Sequence, residues 1–435
     1  MPEGWRRHYS RDIDPSMDGH EVTLLGWVKE VRDLGGIVFV VLRDCKGLVQ
    51  VTAPRKSTPS KTFRAIKDLA GEYIIAIKGV VKANPQAPKG FEVLPSDVRI
   101  LATARHPLPL DTAEKVPADI DTRLNARILD LRRREPNAIF HIRHEVLRVI
   151  RDYLSSKGFL EVQTPRIIAA AAEGGAALFK LKYFDRTAYL AQSPELYKEQ
   201  LTTAFEKVYE IGPFFRAEES HSRRHLNEFT SVDIESAFAD YIDVMKLQEE
   251  LLYQINEHVA KSCKEELEIL GVDLKPSPPP FKRYTYTEIL EELKEANYKI
   301  EWGEDIPTEA YRKLGELHKR EYYFITDWPT STRPFYIKPR SDDPEVSYSF
   351  DTMYEWIEIT SGGTRVDEKD LLINRLKEQN LNVESFKFFL DVFDYGMPPH
   401  AGWGMGLERL LMAMLRKNNI REVVLFPRDR FRLLP

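Results

Sequence analysis

The hydrophobic period changes once along this chain, and that change limits the possible architecture more than any other feature. Residues 19 to 103 hold short runs in which Val, Ile and Phe alternate with polar residues: HEVTLLGWVKEV, IVFVVLRD, LVQVTA, EYIIAIKGVVKA and FEVLPSDVRIL. A period of two marks half-buried strands, and Gly35-Gly36 and Lys46-Gly47 supply hairpin turns. Five such strands predict an OB-type barrel, a fold that often binds oligonucleotides. The pattern alone fits a structural or protein-binding module as well. From Ala104 to about Asp130 the text turns to proline and charge and reads as a hinge. Beyond it, apolar residues recur at three and four, as in IFHIRHEVLRVIRDYLSSKG, which stops at Gly158. Such helices alternate with strand-like runs: KVYEIGPFFRAE, EFTSVDIESAF, EWIEITSGGTRV and FKFFLDVFDYG.

Without a βαβ rhythm or a G-x-G-x-x-G, this mixture predicts an α+β domain around an antiparallel sheet. A chain of 435 residues exceeds what one core usually serves. The expected division is 1–103 barrel, 104–130 linker and 131–435 large domain. No apolar run approaches the roughly 20 residues of a bilayer-spanning helix, and MPEGWRRHYSRDID has no apolar segment after its basic residues. A soluble cytoplasmic protein is expected, with no membrane partner. Cys45 and Cys263 form no C-x-x-C and are expected to be buried free thiols. The net charge of −5 announces no nucleic-acid partner, but phosphate binding needs only a local basic stripe.

Three segments carry chemistry. The first is Phe214-Phe215-Arg216-Ala217-Glu218-Glu219, followed by a polar loop ending Arg223-Arg224-His225-Leu226-Asn227-Glu228-Phe229 and a returning strand. This places cations and an aromatic ring over one patch of sheet; the arginine fork suits phosphate, and Phe229 can stack on a base. Taken alone, FRAE is an ordinary hairpin with surface charge. The second is Gly402-Trp403-Gly404-Met405-Gly406-Leu407-Glu408-Arg409, a glycine-rich strand entering an apolar helix, with close backbone approach and an arginine near a bound anion. The third is Gly158-Phe159-Leu160-Glu161-Val162-Gln163-Thr164-Pro165, a helix end turning into a strand that closes on proline.

As a set and in this order, these segments resemble the signature motifs of class II aminoacyl-tRNA synthetases, and the barrel resembles that of the subgroup handling aspartate, asparagine and lysine. The resemblance covers essentially the whole chain. It implies an antiparallel catalytic sheet flanked by helices, ATP bound in a bent shape, and a homodimer whose interface uses the segment around Pro165. It further implies that Arg216 grips the α-phosphate, Arg409 the γ-phosphate end, and that Phe229 and Arg409 sandwich adenine. Ala217, Glu218, Arg224, His225, Leu226, Gly406, Leu407 and Glu408 would complete the ATP site. Glu358 and Ser361, in EITSGG, would hold magnesium, whose preference for hard oxygens they satisfy. Arg216, Arg409 and Glu358 would be the catalytic set, with no general base.

The amino acid is read from a few positions. Gln192, Ser193, Glu195, Leu196, Tyr197 and Lys198, with Asp233, Ser361 and Arg365, would form its pocket together with Arg216. Two cations, Lys198 and Arg365, converging on one site suit a side-chain carboxylate, because an asparagine would leave them unpaired. Asparaginyl relatives typically lack that lysine and carry Glu-x-Glu where this chain has Asp233-Ile234-Glu235. Glu173 would bind the α-ammonium, although this chain has Ala170-Ala171-Ala172 before it where relatives usually have threonines. These features point to aspartyl members.

In the barrel, Arg32, Phe39 and Gln50 stand at the spacing seen in aspartyl relatives that read the anticodon, a role that the resemblance implies here: a cation, an aromatic platform and an amide suit a splayed base. Phe39 fits either a buried or a stacking role. Pro88 lies where members confined to tRNA(Asp) tend to have lysine, so it suggests charging of tRNA(Asn) as well; Lys29 matches neither the tryptophan nor the histidine of the two kinds. The competing readings are an asparaginyl-tRNA synthetase, a non-catalytic paralogue, which would be expected to lose Arg216, Glu358 or Arg409, and a tRNA-independent ligase making asparagine, which would not need the barrel.

Overall fold

The computed structural model describes residues 6–169, 178–219 and 222–435. Two compact units divide between Arg133 and Arg134.

In the first unit, β1 (Glu21–Asp33), β2 (Ile37–Asp44), β3 (Gly47–Pro54), β4 (Ile74–Ala83) and β5 (Phe91–Ala102) close into a barrel of order β1-β2-β3-β5-β4. Alternate residues fill it: Val38, Val40 and Leu42 of β2 and Val49, Val51 and Ala53 of β3 are all buried, so the residues between them face outward. One helix, α1 (Ser60–Lys67), joins β3 to β4 and lends Phe63 and Ile66 to the barrel core. Cys263 is buried as expected but Cys45 is exposed, because it falls in the two-residue β2–β3 turn, where no side chain has a core to enter. The proline-rich stretch forms α2 (Ile120–Asn125) and α3 (Arg127–Asp130), in which Arg127 donates to Asp130 at 2.6 Å and both are buried.

The second unit opens with α4 (Arg134–Ser156), whose buried Ile139, Ile142, Val146, Val149 and Ile150 keep the helical period. Then come β6 (Leu160–Glu161), β7 (Ile167–Ile168), β8 (Lys180–Tyr183), β9 (Arg186–Leu190), α5 (Glu195–Phe205), β10 (Lys207–Phe215) and β11 (Glu228–Ala237). They are followed by α6 (Tyr241–Ser262), α7 (Lys264–Leu270), β12 (Lys282–Thr285), α8 (Tyr286–Glu295), α9 (Thr308–Leu317), β13 (Tyr322–Thr326), β14 (Ser349–Tyr354) and β15 (Ile357–Thr364). The chain ends on α10 (Lys369–Glu378), α11 (Lys387–Phe393), β16 (His400–Gly406) and α12 (Leu407–Leu415). Eight strands form one sheet of order β12-β13-β14-β15-β16-β11-β10-β6, antiparallel at its centre with a parallel pair at each edge. A small sheet, β7-β9-β8, lies apart from it.

One strand-like run proves helical. Residues 386–396 contain α11, because Phe386, Phe389, Leu390 and Phe393 recur at three and four and enter one apolar cluster. The run is apolar enough to mask its period, and Phe388 and Tyr395 are its exposed apolar members.

Candidate active site

The site lies on the face of the large sheet around β10, β11, β14, β15 and β16. A cavity of about 270 Å³ is lined by residues from two of the three signature segments, the one holding Arg216 to Phe229 and the one holding Gly402 to Arg409, while residues 158–165 do not line it. Its geometry begins with strand register. Ser231, Asp233 and Glu235 of β11 sit opposite Gly406, Gly404 and Gly402 of β16. Both series have period two and so share one face. A Cβ on Gly402 would lie 2.1 Å from Glu235 Oε2, and one on Gly404 2.8 Å from Asp233 Oδ1. Two of the three glycines therefore make room for the protein's own carboxylates, whereas the sequence suggested approach to a bound anion. Gly404 and Gly406 both line the cavity, and of the three only Gly406 faces Arg409.

At one end, Arg216 emerges from β10 with its guanidinium 5.2 Å from the Phe229 ring centroid. Asn227 fixes this turn by donating to the Arg216 and Glu218 carbonyls at 2.7 and 3.0 Å. Arg224 lies over Trp356 at 4.8 Å and donates to Thr308 at 2.7 Å. Burial, reinforced by Arg409, lowers the His225 pKa, so the ring is held neutral. Arg409 contacts Glu358 through its carbonyl at 3.1 Å and its carboxylate at 3.3 Å. Leu226, Glu218 and Glu408 also line the cavity, but Glu408 is engaged by Arg143 at 2.9 Å and by the Thr230 amide at 3.0 Å, which anchors α12 to β11. Ala217 and Leu407 do not line it; Leu407 is in the core beneath.

Glu358 and Ser361 are three residues apart on one strand and should face opposite sides. A register shift between Thr352 and Met353 turns both to the cavity, where Ser361 pairs with Asp351 across the strands. Asp351 receives two bonds from Arg333, at 3.1 and 2.8 Å, and Arg333 also reaches Ser361 at 3.4 Å and covers Trp328 at 4.2 Å. The carboxylate and hydroxyl oxygens here match a hard cation. Among the described residues no group of three or more His, Cys, Asp or Glu could hold a metal ion by itself. The oxygens therefore fit magnesium that keeps waters and leans on phosphates.

At the other end lies a buried ionic cluster. Arg365 pairs with Glu195 at 2.6 Å and donates to both Glu235 oxygens at 3.0 and 3.2 Å. Lys198 contacts Glu195 at 2.8 Å, Asp233 at 3.2 Å and Glu235 at 3.6 Å. Burial opposes the charge on each cation, yet the carboxylates prevail and raise both pKa values. Burial likewise raises Asp233, and Lys198 does not fully offset it; Glu195, facing both cations, ends lowered. The two cations expected to converge on one pocket are thus paired with the protein's own carboxylates. Both are already satisfied, since a bare buried charge costs several kcal/mol, and only Arg365 lines the cavity while Lys198 lies below it. Gln192 and Ser193 line the cavity with Glu195 and Asp233. Leu196 and Tyr197 turn away, into apolar clusters. Glu173 lies outside the described residues.

Sequence reasoning passed over Arg333, Asp351, Tyr336, Ser231 and the pairing role of Glu235. The alternation Ser231-x-Asp233-x-Glu235 was a signal for the last two. Nothing local ties Arg333 to Asp351, which meet only through the sheet.

On the barrel, Arg32 pairs directly with Phe39, and Phe39 with Thr52. All three, and Gln50 two residues before Thr52, share the outward face; Phe39 is half-buried between core-facing Val38 and Val40. Gln50 donates to Thr52 at 3.3 Å and to Glu92 at 3.4 Å. Asn84 donates to the same Glu92 at 3.2 Å, which connects Gln50 to the β4–β5 loop that carries exposed Pro88.

A family model described as tRNA synthetases class II (D, K and N) matches residues 119–430, and one described as OB-fold nucleic acid binding domain matches residues 22–101. The chain is 53% identical over 429 residues to the aspartate–tRNA(Asp/Asn) ligase of Methanopyrus kandleri, covering 98% of this chain and 99% of that one. It is 50% identical over 431 residues to the protein of the same description from Methanothermobacter thermautotrophicus, covering 99% and 98%. Among solved structures, an asparaginyl-tRNA synthetase from Pyrococcus horikoshii complexed with asparaginyl-adenylate aligns with TM-score 0.95 at 34% identity, over 99% of this chain and 100% of that one. An aspartyl tRNA synthetase from Entamoeba histolytica aligns with TM-score 0.88 at 33% identity, over 100% and 94%.

Proposed function

Because this chain belongs to the class II tRNA synthetases of the D, K and N group, we infer that it is an ATP-dependent ligase that activates L-aspartate as aspartyl-adenylate and transfers aspartate to the 3′ end of tRNA(Asp). Curated relatives at about 50% identity described as aspartate–tRNA(Asp/Asn) ligases support this reading, and extend it to tRNA(Asn).

The observation that carries the amino-acid choice is Arg365, a guanidinium held on Glu195 and Glu235 and the one buried cation of the cluster that faces the cavity. A substrate side-chain carboxylate would dock on it. The three carboxylates of the cluster outnumber its two cations, and this surplus, with Glu173, suits the α-ammonium. The α-carboxylate then attacks the α-phosphorus of ATP, forming the aspartyl-adenylate bond as the bond to the β-phosphate breaks and pyrophosphate leaves. That step needs alignment and charge neutralisation, not a base. Arg216 would hold the α-phosphate, its aliphatic and cationic faces braced by Phe229; Phe229 and Arg409 would enclose adenine, and Arg409 and Arg224 would bind the outer phosphates. Neutral His225 and Glu218 would complete the ATP pocket. Magnesium, when bound, supplies positive charge to the phosphates; Glu358 and Ser361 would hold it. Arg32, Phe39 and Gln50 would read the anticodon.

A homodimer is part of the same reading. Leu160, Ile167, Tyr183 and Phe184, flanking Pro165 or on the small sheet, are 47%, 48%, 46% and 79% exposed, and exposed apolar side chains of this kind suit a protein interface. The similarity to an asparaginyl enzyme at 34% identity makes asparagine the alternative substrate. Aspartate-dependent ATP–pyrophosphate exchange, run beside asparagine, tests the assignment: exchange with aspartate alone is expected, and exchange with asparagine alone would overturn it. Charging of purified tRNA(Asp) and tRNA(Asn) tests the tRNA range; aspartate on tRNA(Asp) alone would remove the second substrate.

A further inference from the structure

Two buried titratable residues touch neither the cavity nor any function assigned above. Glu199, on α5 one turn beyond Glu195, and His400, the first residue of β16, are both fully buried. Glu199 Oε2 lies 3.2 Å from His400 Nε2. The His400 carbonyl accepts the Arg365 backbone N–H at 2.9 Å, and the Arg365 guanidinium reaches Glu195 at 2.6 Å. These contacts form a closed ring: His400 to the Arg365 backbone, Arg365 to Glu195, one turn of helix to Glu199, and back to His400. The ring grips Arg365 at both ends.

We propose that Glu199 and His400 are positioning residues for the amino-acid subsite, their contact closing the ring that sets Arg365. The proposal rests on the reading of Arg365 as the partner of the substrate carboxylate. The ring also fixes a proton. His400 Nδ1 lies 2.8 Å from the Pro398 carbonyl, which can only accept, so Nδ1 bears hydrogen. Nε2 then faces a carboxyl group, and one proton lies between them, on either nitrogen or oxygen. Burial holds the Glu199 carboxyl up at about 7, and His400 is raised as well, its burial outweighed by Glu199. The charged groups around the pair are Glu195 and Lys198 on α5, Asp233 and Glu235 on β11, and Arg365 after β15. Loss of the shared proton adds a negative charge to this set, beside the place where a substrate carboxylate binds.

The test is steady-state pyrophosphate exchange by the full chain. Glu199→Leu breaks the ring and is expected to raise KM for aspartate by roughly tenfold or more while KM for ATP stays near wild type. Glu199→Gln keeps a hydrogen bond to Nε2 without a titrating group. The wild type is expected to show a rise of aspartate KM on the alkaline side, and Glu199→Gln to hold a near wild-type KM at neutral pH and to lack that rise. An unchanged aspartate KM in a folded Glu199→Leu protein would overturn the proposal. If that variant does not fold, a Glu199→Gln profile that follows the wild type would do so. Failure of the wild type to use aspartate would instead overturn the amino-acid assignment.

Discussion

Replacing Arg365 by alanine tests the amino-acid subsite where its energetics are largest. The wild-type cluster holds Glu195, Asp233 and Glu235 against Lys198 and Arg365. Removing Arg365 leaves three carboxylates to one cation in a region where Glu235 is fully buried. Breaking such a pair costs about 3–5 kcal/mol of stability. A bound substrate carboxylate would lose the same partner, and truncating one side of a buried charge pair costs about 2–5 kcal/mol, so kcat/KM for aspartate should fall by roughly two to four orders of magnitude. KM for ATP should stay near wild type, since Arg216 and Arg409 are untouched. Stability and binding are separable: Arg365→Ala combined with Glu235→Gln removes one surplus charge and should recover much of the stability without recovering aspartate activity. Arg365→Lys, with the charge but not the planar fork, should lie between. Pyrophosphate exchange and urea denaturation give both quantities. A folded Arg365→Ala protein with wild-type kcat/KM for aspartate would refute the reasoning.

Gly402→Ala would push a methyl to 2.1 Å from Glu235 Oε2 and 2.2 Å from the Ile234 carbonyl. A loss of about 3 kcal/mol or more is expected in denaturation, because backbone cannot yield as a flexible side chain does; unchanged stability would contradict the close approach. Phe39→Ala should raise KM for tRNA by a factor matching about 1–3 kcal/mol of base stacking and leave pyrophosphate exchange unaltered; equal loss in both assays would mean that Phe39 only supports the barrel. His225 is kept neutral in the fold, so its unfolded form binds the proton more readily. The stability it contributes is present above the ordinary imidazole value of 6.5 and declines as pH falls towards its lowered folded value. His225→Gln should remove that acid-side component from the pH dependence of melting temperature, and an unchanged slope between pH 7 and 5 would show that the ring does not titrate in this way.

How much was legible in the sequence depended on the range of the physics involved. The barrel strands were readable because period-two alternation and glycine turns are local, and β1 to β5 fall on the five runs. The motif segments likewise land as strand–loop–strand and strand–helix, with Arg216, Phe229, Glu358 and Arg409 around one cavity. Residues 386–396 misled because an apolar run carries little period. Cys45 misled because composition ignores a turn.

What the sequence by itself determined was which residue types are present and which local elements carry them: a β-rich unit, an α+β unit, and arginines, carboxylates and glycines at motif spacing. The tertiary structure alone decided how these meet. A strand bulge turned Glu358 and Ser361 to one side, cross-strand register set Gly402 against Glu235, and the sheet brought Arg333 to Asp351. It also satisfied Lys198 and Arg365 before any substrate arrives. The physical reason is that buried charge must be neutralised by whatever the fold places within a few ångströms, and that proximity is set by register and packing between segments far apart in the chain.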